Sequence, residues 1–372
     1  VPATATPASS LPSGPVVWST PLRTRFRGLD VRDGLLLRGD AGWGELSPFW
    51  DYDDAESATW LRAAREAADL GWPAPVRDSV PVNVTVPAVD PERARAIVLA
   101  SAGCRTAKVK VAQRDAAGVL EPLEAEAERV AAVRAAFDEL YGPGVGRIRV
   151  DANGGWDVDA AARHLRRLDA AAGGLEYAEQ PCATVEELAA LRRRLDVPVA
   201  ADESIRRAED PLRVVRQEAA DVVVLKVQPL GGVRACLELA EQVGLPVVVS
   251  SALESSVGLA AGVALAAALP ELPYACGLAT SQLFVRDVVA EPLLPVDGAL
   301  PVRRPEPDPV ALAAAAPSDA VRAAWLDRHR RLAAVLAETP PAEPPPAETR
   351  IHGHSGGADT PETRVSAQGE GR

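Results

Sequence analysis

The feature that most limits what this chain can fold into is a recurrence. Five segments each carry a charge at the end of a short apolar or β-branched run: Ala107-Lys108-Val109-Lys110-Val111, Val150-Asp151-Ala152-Asn153, Ala178-Glu179-Gln180-Pro181, Ala201-Asp202-Glu203-Ser204 and Leu225-Lys226-Val227. The steps from 151 to 179, 179 to 202 and 202 to 226 are 28, 23 and 24 residues. A strand, a helix and two short connections take about that many residues, so the charges recur once per βα unit. In a (β/α)8 barrel the strands are parallel, their C-terminal ends share one face, and residues at those ends converge on one site. Any one of these charges alone reads as a solvated loop residue or a salt-bridge partner. Their common register is what points to a site.

The remaining segments fit an α/β chain: a modified (β/α)7β TIM-like barrel with an N-terminal α+β capping domain completed by the C-terminal segment. Residues 1–14 read as a flexible N-terminus. Residues 15–78 read as the cap: a strand, turn and strand over Val16–Leu37, a tight turn at Gly42-Trp43-Gly44-Glu45-Leu46-Ser47-Pro48, and an amphipathic helix over Ala55–Leu70. Residues 79–290 read as the barrel. Its strands are expected at Pro81–Val86, Ala107–Val111, Arg147–Val150, Leu175–Ala178, Val197–Ala201, Val222–Leu225, Pro246–Val249 and Tyr274–Leu278. Its helices include Glu121–Tyr141, Pro211–Glu218 and the Ala-rich Ser256–Leu269. Residues 291–337 are expected to return to the cap, with Leu293–Val302 pairing with the N-terminal unit and Ser318–Ala337 forming a helix. Residues 338–372, rich in Pro and Glu and then in Gly, Ser and Thr, read as a disordered tail. Its His352-Gly353-His354 is a metal-binding pattern of little specificity.

At 372 residues and 47% apolar, the chain can bury a barrel of about 250 residues and a smaller domain. A net charge of −12 with no basic stripe argues against nucleic acid or an anionic membrane as partner. No apolar run reaches membrane-spanning length, and Val1–Gly14 lacks the basic and apolar regions of a secretory signal. Cys104, Cys182, Cys236 and Cys276 are scattered, which suits buried free thiols in a reducing cytoplasm. His164 and His329 do not fall at strand ends, so a histidine base or ligand is not expected. The pattern is compatible with a monomer.

Three converging carboxylates repel unless a cation joins them. All-oxygen ligands without Cys or His point to Mg²⁺ or Mn²⁺ rather than zinc. An ion flanked by lysines suits removal of the weakly acidic proton next to a carboxylate. The ion and a fixed ammonium neutralise the developing enediolate, and a neutral lysine takes the proton. A neighbouring cation lowers such a lysine's pKa from about 10.4 toward the working pH. Arg23, Arg25, Arg27 and Arg32 are either surface charges or residues that close over an anionic substrate. Gly231-Gly232 and Ser255-Ser256 precede helices and could present N–H groups to an anion, although capping explains the serines equally well.

Lys-x-Lys followed by Asp, Glu, Asp and Lys on successive strands resembles the muconate-lactonizing subgroup of the enolase superfamily. The segment Gly42–Pro48 is similar to that family's capping-domain motif, and the likeness spans roughly residues 16–336. The mandelate-racemase subgroup uses a histidine base that is missing here. Dipeptide epimerases carry Asp-x-Asp where this chain has Gly277-Leu278-Ala279-Thr280. That segment, Asp151–Trp156 and Ser250–Ser255 resemble o-succinylbenzoate synthases of the actinobacterial type. That family dehydrates 2-succinyl-6-hydroxy-2,4-cyclohexadiene-1-carboxylate on the way to menaquinone. The resemblance implies Asp151, Glu179 and Asp202 as Mg²⁺ ligands, Lys110 as base and then acid, and Lys226 as the ammonium on the opposite face. It implies substrate contacts for Lys108, Asn153, Ser250 and Ser251, and a supporting place for Glu203. The nearest alternative is an N-succinylamino-acid racemase, with the same metal and both lysines exchanging protons. Muconate cycloisomerisation, a Schiff-base aldolase and a non-catalytic metal-binding barrel are the others.

Overall fold

In the computed structural model, which describes residues 11, 14–115, 117–208 and 210–338, the chain opens with three antiparallel strands: β1 (Val16–Phe26), β2 (Leu29–Gly39) and β3 (Gly42–Leu46). The hairpin turns at Arg27-Gly28, both at positive φ. Gly42–Leu46, expected as a turn, is instead a strand. Its glycine at 44 marks a close approach rather than a bend: an added Cβ would lie 2.0 Å from the Ala64 carbonyl oxygen. Ala64 belongs to α1 (Asp54–Arg65), capped by Asp53, which accepts from the Glu56 N–H at 2.8 Å. One π turn, Glu66–Leu70, extends it.

The barrel elements follow as β4 (Ser79–Pro81), β5 (Val84–Val86), α2 (Pro91–Leu99), β6 (Thr106–Lys110), α3 (Leu123–Tyr141), β7 (Arg147–Asp151), α4 (Val158–Ala172), β8 (Tyr177–Glu179), α5 (Val185–Arg192), β9 (Val199–Ala201), α6 (Glu203–Arg206), α7 (Arg213–Arg216), β10 (Val222–Leu225), α8 (Val227–Leu230), α9 (Val233–Val243), β11 (Val247–Val249) and α10 (Ser256–Ala268). The chain ends with β12 (Ala299–Pro301), α11 (Pro309–Ala314) and α12 (Asp319–Glu338). Strands β5 to β11 form one parallel sheet in sequence order. Tyr274–Leu278 takes the eighth place through single bridges, Val82 to Cys276 and Ser250 to Gly277, and so closes the barrel without forming a named strand.

Alternation along the strands sorts the side chains. Val109, Val150, Ala178, Val199, Val223, Leu225 and Val249 face the helices and belong to the large core. Tyr177, Ala200, Val222, Val224 and Val248 form a separate cluster that fills the barrel. Two residues beyond the members Tyr177, Ala200, Val224 and Val248 come Glu179, Asp202, Lys226 and Ser250. With a period of two, these must point to the same interior at its C-terminal mouth. Pairing of Lys110 with Asp151 and of Asp151 with Glu179 places three of the charges in one row.

Several expectations need correction. Pro81–Val86 is two strands, because Pro81 pairs antiparallel with Ala299 while the Cys276 N–H and carbonyl claim Pro81 and Asn83. Leu293–Val302 therefore meets the start of the barrel segment rather than the N-terminal sheet. The cap is reached instead by Arg304, which donates to the Trp43 and Ala67 carbonyls, and by α12. Pro211–Glu218 shortens to the single turn α7. The residues expected to form a flexible N-terminus, other than Leu11 and Gly14, lie outside the described residues. So does the expected tail, with His352 and His354, apart from Glu338, which ends α12. Among the described residues, no helix is long and apolar enough to cross a membrane.

Candidate active site

The barrel mouth and the cap line a common cavity. Lys108, Lys110, Asp151, Asn153, Lys226, Ser250 and Ser251 line it from the barrel; Phe26, Arg27, Phe49, Tyr52 and Trp60 line it from the cap. Glu179 and Asp202 lie beneath the lysines, 1% and 0% exposed. All nine residues singled out in the sequence thus meet at one end of the barrel.

Each carboxylate there is matched to an ammonium. Lys108 Nζ donates to both oxygens of Glu179, at 2.8 and 3.0 Å, and lies 3.4 Å from Asp151. Lys110 Nζ donates to Asp151 at 2.5 Å and to the Asn153 side-chain oxygen at 2.7 Å. Lys226 Nζ donates to Asp202, whose other oxygen accepts from Arg206 Nε at 2.9 Å. Among the described residues, no group of three or more His, Cys, Asp or Glu side chains surrounds a common point. The lysine ammonium groups lie against the carboxylate oxygens that would have to turn toward one.

The electrostatics nevertheless suit a hard cation. Burial drives the Glu179 carboxyl up to about 7, and the Asp151 charge adds to this, against the pull of Lys108. Burial also opposes ionisation of Asp151, but Lys110 and Lys108 outweigh it and hold that carboxyl well below the usual range. Arg206 and Lys226 do the same for Asp202 against its burial. Burial pushes the Lys226 ammonium down, and the adjoining Asp202 carboxylate resists this. Lys108 is pushed up despite its burial, by Glu179 and then Asp151. Three buried carboxylates, one of them hard to ionise beside the others, fit a divalent ion in donor type.

Two residues of the site escaped sequence reasoning. Arg206, one turn after Asp202, also donates to Glu203 at 2.5 Å and to the cap's Tyr52 hydroxyl. Gln180 accepts from the Asp202 and Ser204 N–H groups at 2.9 and 3.2 Å and donates to Ser204 Oγ at 2.7 Å, which fixes the turn that carries Asp202. The signal for Arg206 was an i, i+4 charge pair leaving a strand end. Glu203 accepts from Asn153 Nδ2 at 3.2 Å and stands behind it. Ser250 Oγ donates to the Gly277 carbonyl at 3.5 Å, and Ser251 Oγ shares a 2.7 Å hydrogen bond with Thr280.

Of the four arginines in the β1–β2 hairpin, Arg27 lines the cavity, its guanidinium 4.3 Å from the Phe49 ring centre. Arg32 is neither a surface charge nor a substrate clamp. It is buried and donates to the Leu253 carbonyl at 3.0 Å and to the Ser47 carbonyl. The two helix starts expected to face an anion face the protein's own carboxylates. Glu66 accepts from the Arg234 N–H at 3.3 Å beside Gly232. Glu45 accepts from the Ser255 and Gly258 N–H groups at 3.3 and 3.1 Å, and Asp287 takes the Ser256 N–H at 3.1 Å. These termini dock the cap and the C-terminal segment onto the barrel.

A cap of this kind over a barrel with acids and lysines at successive strand ends defines an enolase-type protein. Residues 91–307 match the family described as "Enolase C-terminal domain-like", and residues 17–68 match "Enolase N-terminal domain-like". The muconate lactonizing enzyme of Pseudomonas fluorescens superposes with a TM-score of 0.68 at 23% identity, over 81% of this chain and 97% of that one. The N-succinyl Arg/Lys racemase of Bacillus cereus superposes at 0.64 and 20% identity, over 81% and 96%. Identities that low speak to the fold alone. The o-succinylbenzoate synthase of Thermobifida fusca is 68% identical over 287 residues, 77% of this chain and 86% of that protein. That of Mycolicibacterium smegmatis is 55% identical over 312 residues, 84% and 92%. The chain belongs to the o-succinylbenzoate synthases of the enolase superfamily, enzymes that depend on a divalent metal ion.

Proposed function

We propose that this chain removes water from 2-succinyl-6-hydroxy-2,4-cyclohexadiene-1-carboxylate to give o-succinylbenzoate, with Mg²⁺ or Mn²⁺ held by Asp151, Glu179 and Asp202. When bound, the ion supplies Lewis-acid stabilisation of the charge that develops on the substrate carboxylate. Lys110 Nζ takes the proton from the carbon next to that carboxylate and, as an ammonium, returns it to the departing hydroxyl on the same face. Lys226 stays charged and stabilises the enediolate from the other side. Lys108 orients Lys110 or meets the substrate carboxylate, and Asn153 holds Lys110 through its side-chain oxygen. Ser250 and Ser251 receive the succinyl carboxylate. Formation of an aromatic ring makes the second step strongly downhill, so catalysis is chiefly the first proton transfer.

The observation that carries this reading is that Lys110 and Lys226, separated in the sheet by the three strands bearing the acids, line one cavity. The test is the rate of o-succinylbenzoate formation with and without chelator, in the native protein, Lys110→Ala and Lys226→Arg. Chelation should abolish turnover, and added Mg²⁺ should restore it. Lys110→Ala should lose on the order of 10² to 10⁴-fold, while Lys226→Arg should keep substantial activity. An active Lys110→Ala, or turnover indifferent to chelator, refutes the assignment.

A further inference from the structure

Helix α3 carries two charged side chains on its buried face, Glu126 and Arg129, 0% and 3% exposed. Neither belongs to the cavity, yet both end on the main chain at Lys110 or just after it. Arg129 Nη1 donates to the Lys110 carbonyl at 3.0 Å, while its Nε donates to the Val89 carbonyl at 2.5 Å and its Nη2 to Glu121. Glu126 accepts from the Ala112 N–H at 2.6 Å, and its other oxygen meets His164 Nδ1 at 2.9 Å. Trp156 packs on that imidazole with ring centres 4.9 Å apart.

The stretch held this way is one that the sheet does not hold. Lys110 paired with Asp151 is the last register pair between β6 and β7, and beyond it the Val111 N–H donates to the Asp151 carbonyl. At Ala112 the backbone enters the left-handed region, at φ 58°, which a residue with a Cβ adopts at a cost. Gly155 makes room for it: a Cβ there would come within 2.7 Å of the Ala112 Cβ. A lysine has four side-chain torsions, so a base built on one needs its main chain fixed before its Nζ can be.

We infer that Arg129 and Glu126 are positioning residues, a clamp from α3 that fixes the main chain at Lys110 and just after it and so sets where its Nζ meets the substrate proton. The inference rests on Lys110 being the base. His164 and Trp156 complete it by holding the Glu126 carboxylate in place. The buried histidine, which the reaction itself does not use, thereby has a role.

The test compares kcat and KM of the metal-loaded full chain for Glu126→Ala, Glu126→Gln, Arg129→Leu and Lys110→Ala. It is run well below each variant's unfolding transition, with the folded fraction read by circular dichroism. A misplacement of about 1 Å costs up to 10²-fold, so Glu126→Ala and Arg129→Leu should lose about 10- to 100-fold in kcat with KM within about 2-fold of native. Glu126→Gln should stay within about 3-fold of native kcat, because an amide oxygen still accepts the Ala112 N–H. If Arg129→Leu does not fold, Arg129→Lys replaces it. A lysine keeps the charge but lacks the planar fork that holds the Lys110 and Val89 carbonyls and Glu121 together, so the same drop in kcat is expected. Folded variants with native kcat, or a Glu126→Gln as impaired as Glu126→Ala, overturn the clamp. If Lys110→Ala itself still turns over, it is the assignment of the base that fails.

Discussion

Arg328 ties the last helix to the loop that roofs the cavity, and its removal should be felt in both stability and binding. The guanidinium is 2% exposed and donates to the carbonyls of Pro48, Phe49 and Tyr52 at 3.2, 2.9 and 2.8 Å, and to Ser57 Oγ at 2.8 Å. It also lies 5.0 Å from the Trp50 ring centre. A hydrogen bond from a charged donor contributes about 1.5–3 kcal/mol, so four would exceed any plausible single-site effect if simply added. Two terms reduce the total. Burial pushes the Arg328 pKa down, so part of the gain offsets desolvation of the cation. The Phe49 carbonyl also keeps the Tyr52 N–H at 3.2 Å. Arg328→Met keeps most of the volume and removes the donors, for a net loss of about 2–4 kcal/mol. Because Phe49 and Tyr52 line the cavity, KM should rise several-fold while the barrel groups, and hence kcat, change less. Urea unfolding followed by tryptophan fluorescence gives the first quantity, and steady-state kinetics the second. A loss below about 1 kcal/mol with KM unchanged would show that this network does not hold the loop.

Burial raises the Glu45 carboxyl from 4.5 to about 7, with Ser255 and Ser47 hydrogen bonds working against the rise. The folded state therefore keeps a proton that the unfolded chain has lost. Glu45's contribution to stability is full below about pH 4.5 and disappears as pH rises through about 7. At about 1.4 kcal/mol per unit this amounts to roughly 3 kcal/mol, and Glu45→Gln should flatten the dependence of the melting temperature on pH between pH 5 and 8. Gly44→Ala places a Cβ against the Ala64 carbonyl and should cost about 1–3 kcal/mol, read as a lowered urea midpoint. The four cysteines are buried and free, and burial raises the Cys104 thiol to about 11 and Cys182 to about 12. Ellman's reagent should find no fast-reacting thiol in the native protein and all four after denaturation.

The barrel was legible because parallel strands buried on both faces leave near-continuous apolar runs, and their charged ends mark the mouth. The cap was less so. In β3, Trp43-Gly44-Glu45-Leu46 looks like a turn by its glycines, and only the helix pressed against Gly44 shows why a strand needs one there. Pro81 looked like the start of a barrel strand. It is the join between two sheets, and nothing local announces that Ala299 will pair with it. Helix α10 was found by length, but the reason it has no polar face, cover on both sides, belongs to tertiary structure.

The site divides along the same line. Asp151, Glu179, Asp202 and Lys226 announce themselves because a charge directly after an apolar strand has few other reasons to be there. Glu126 and Arg129 do not, because charges on a surface helix are ordinary, and α3 has many. A subtler signal existed. The buried stripe of that helix runs through Val130, Val133 and Phe137, and continuing it one turn back at intervals of three and four reaches Glu126, with Arg129 alongside. A charge in phase with an apolar stripe must find a buried partner. When the nearest unpaired groups are the main chain of a strand end bearing a lysine, the helix is recognisable as support for that lysine. Glu45 obeys the same logic from the cap side: its strand buries it, and the start of α10 supplies the N–H groups it needs. In both cases the packing alternation says that the charge is inside, and only the fold says what it holds.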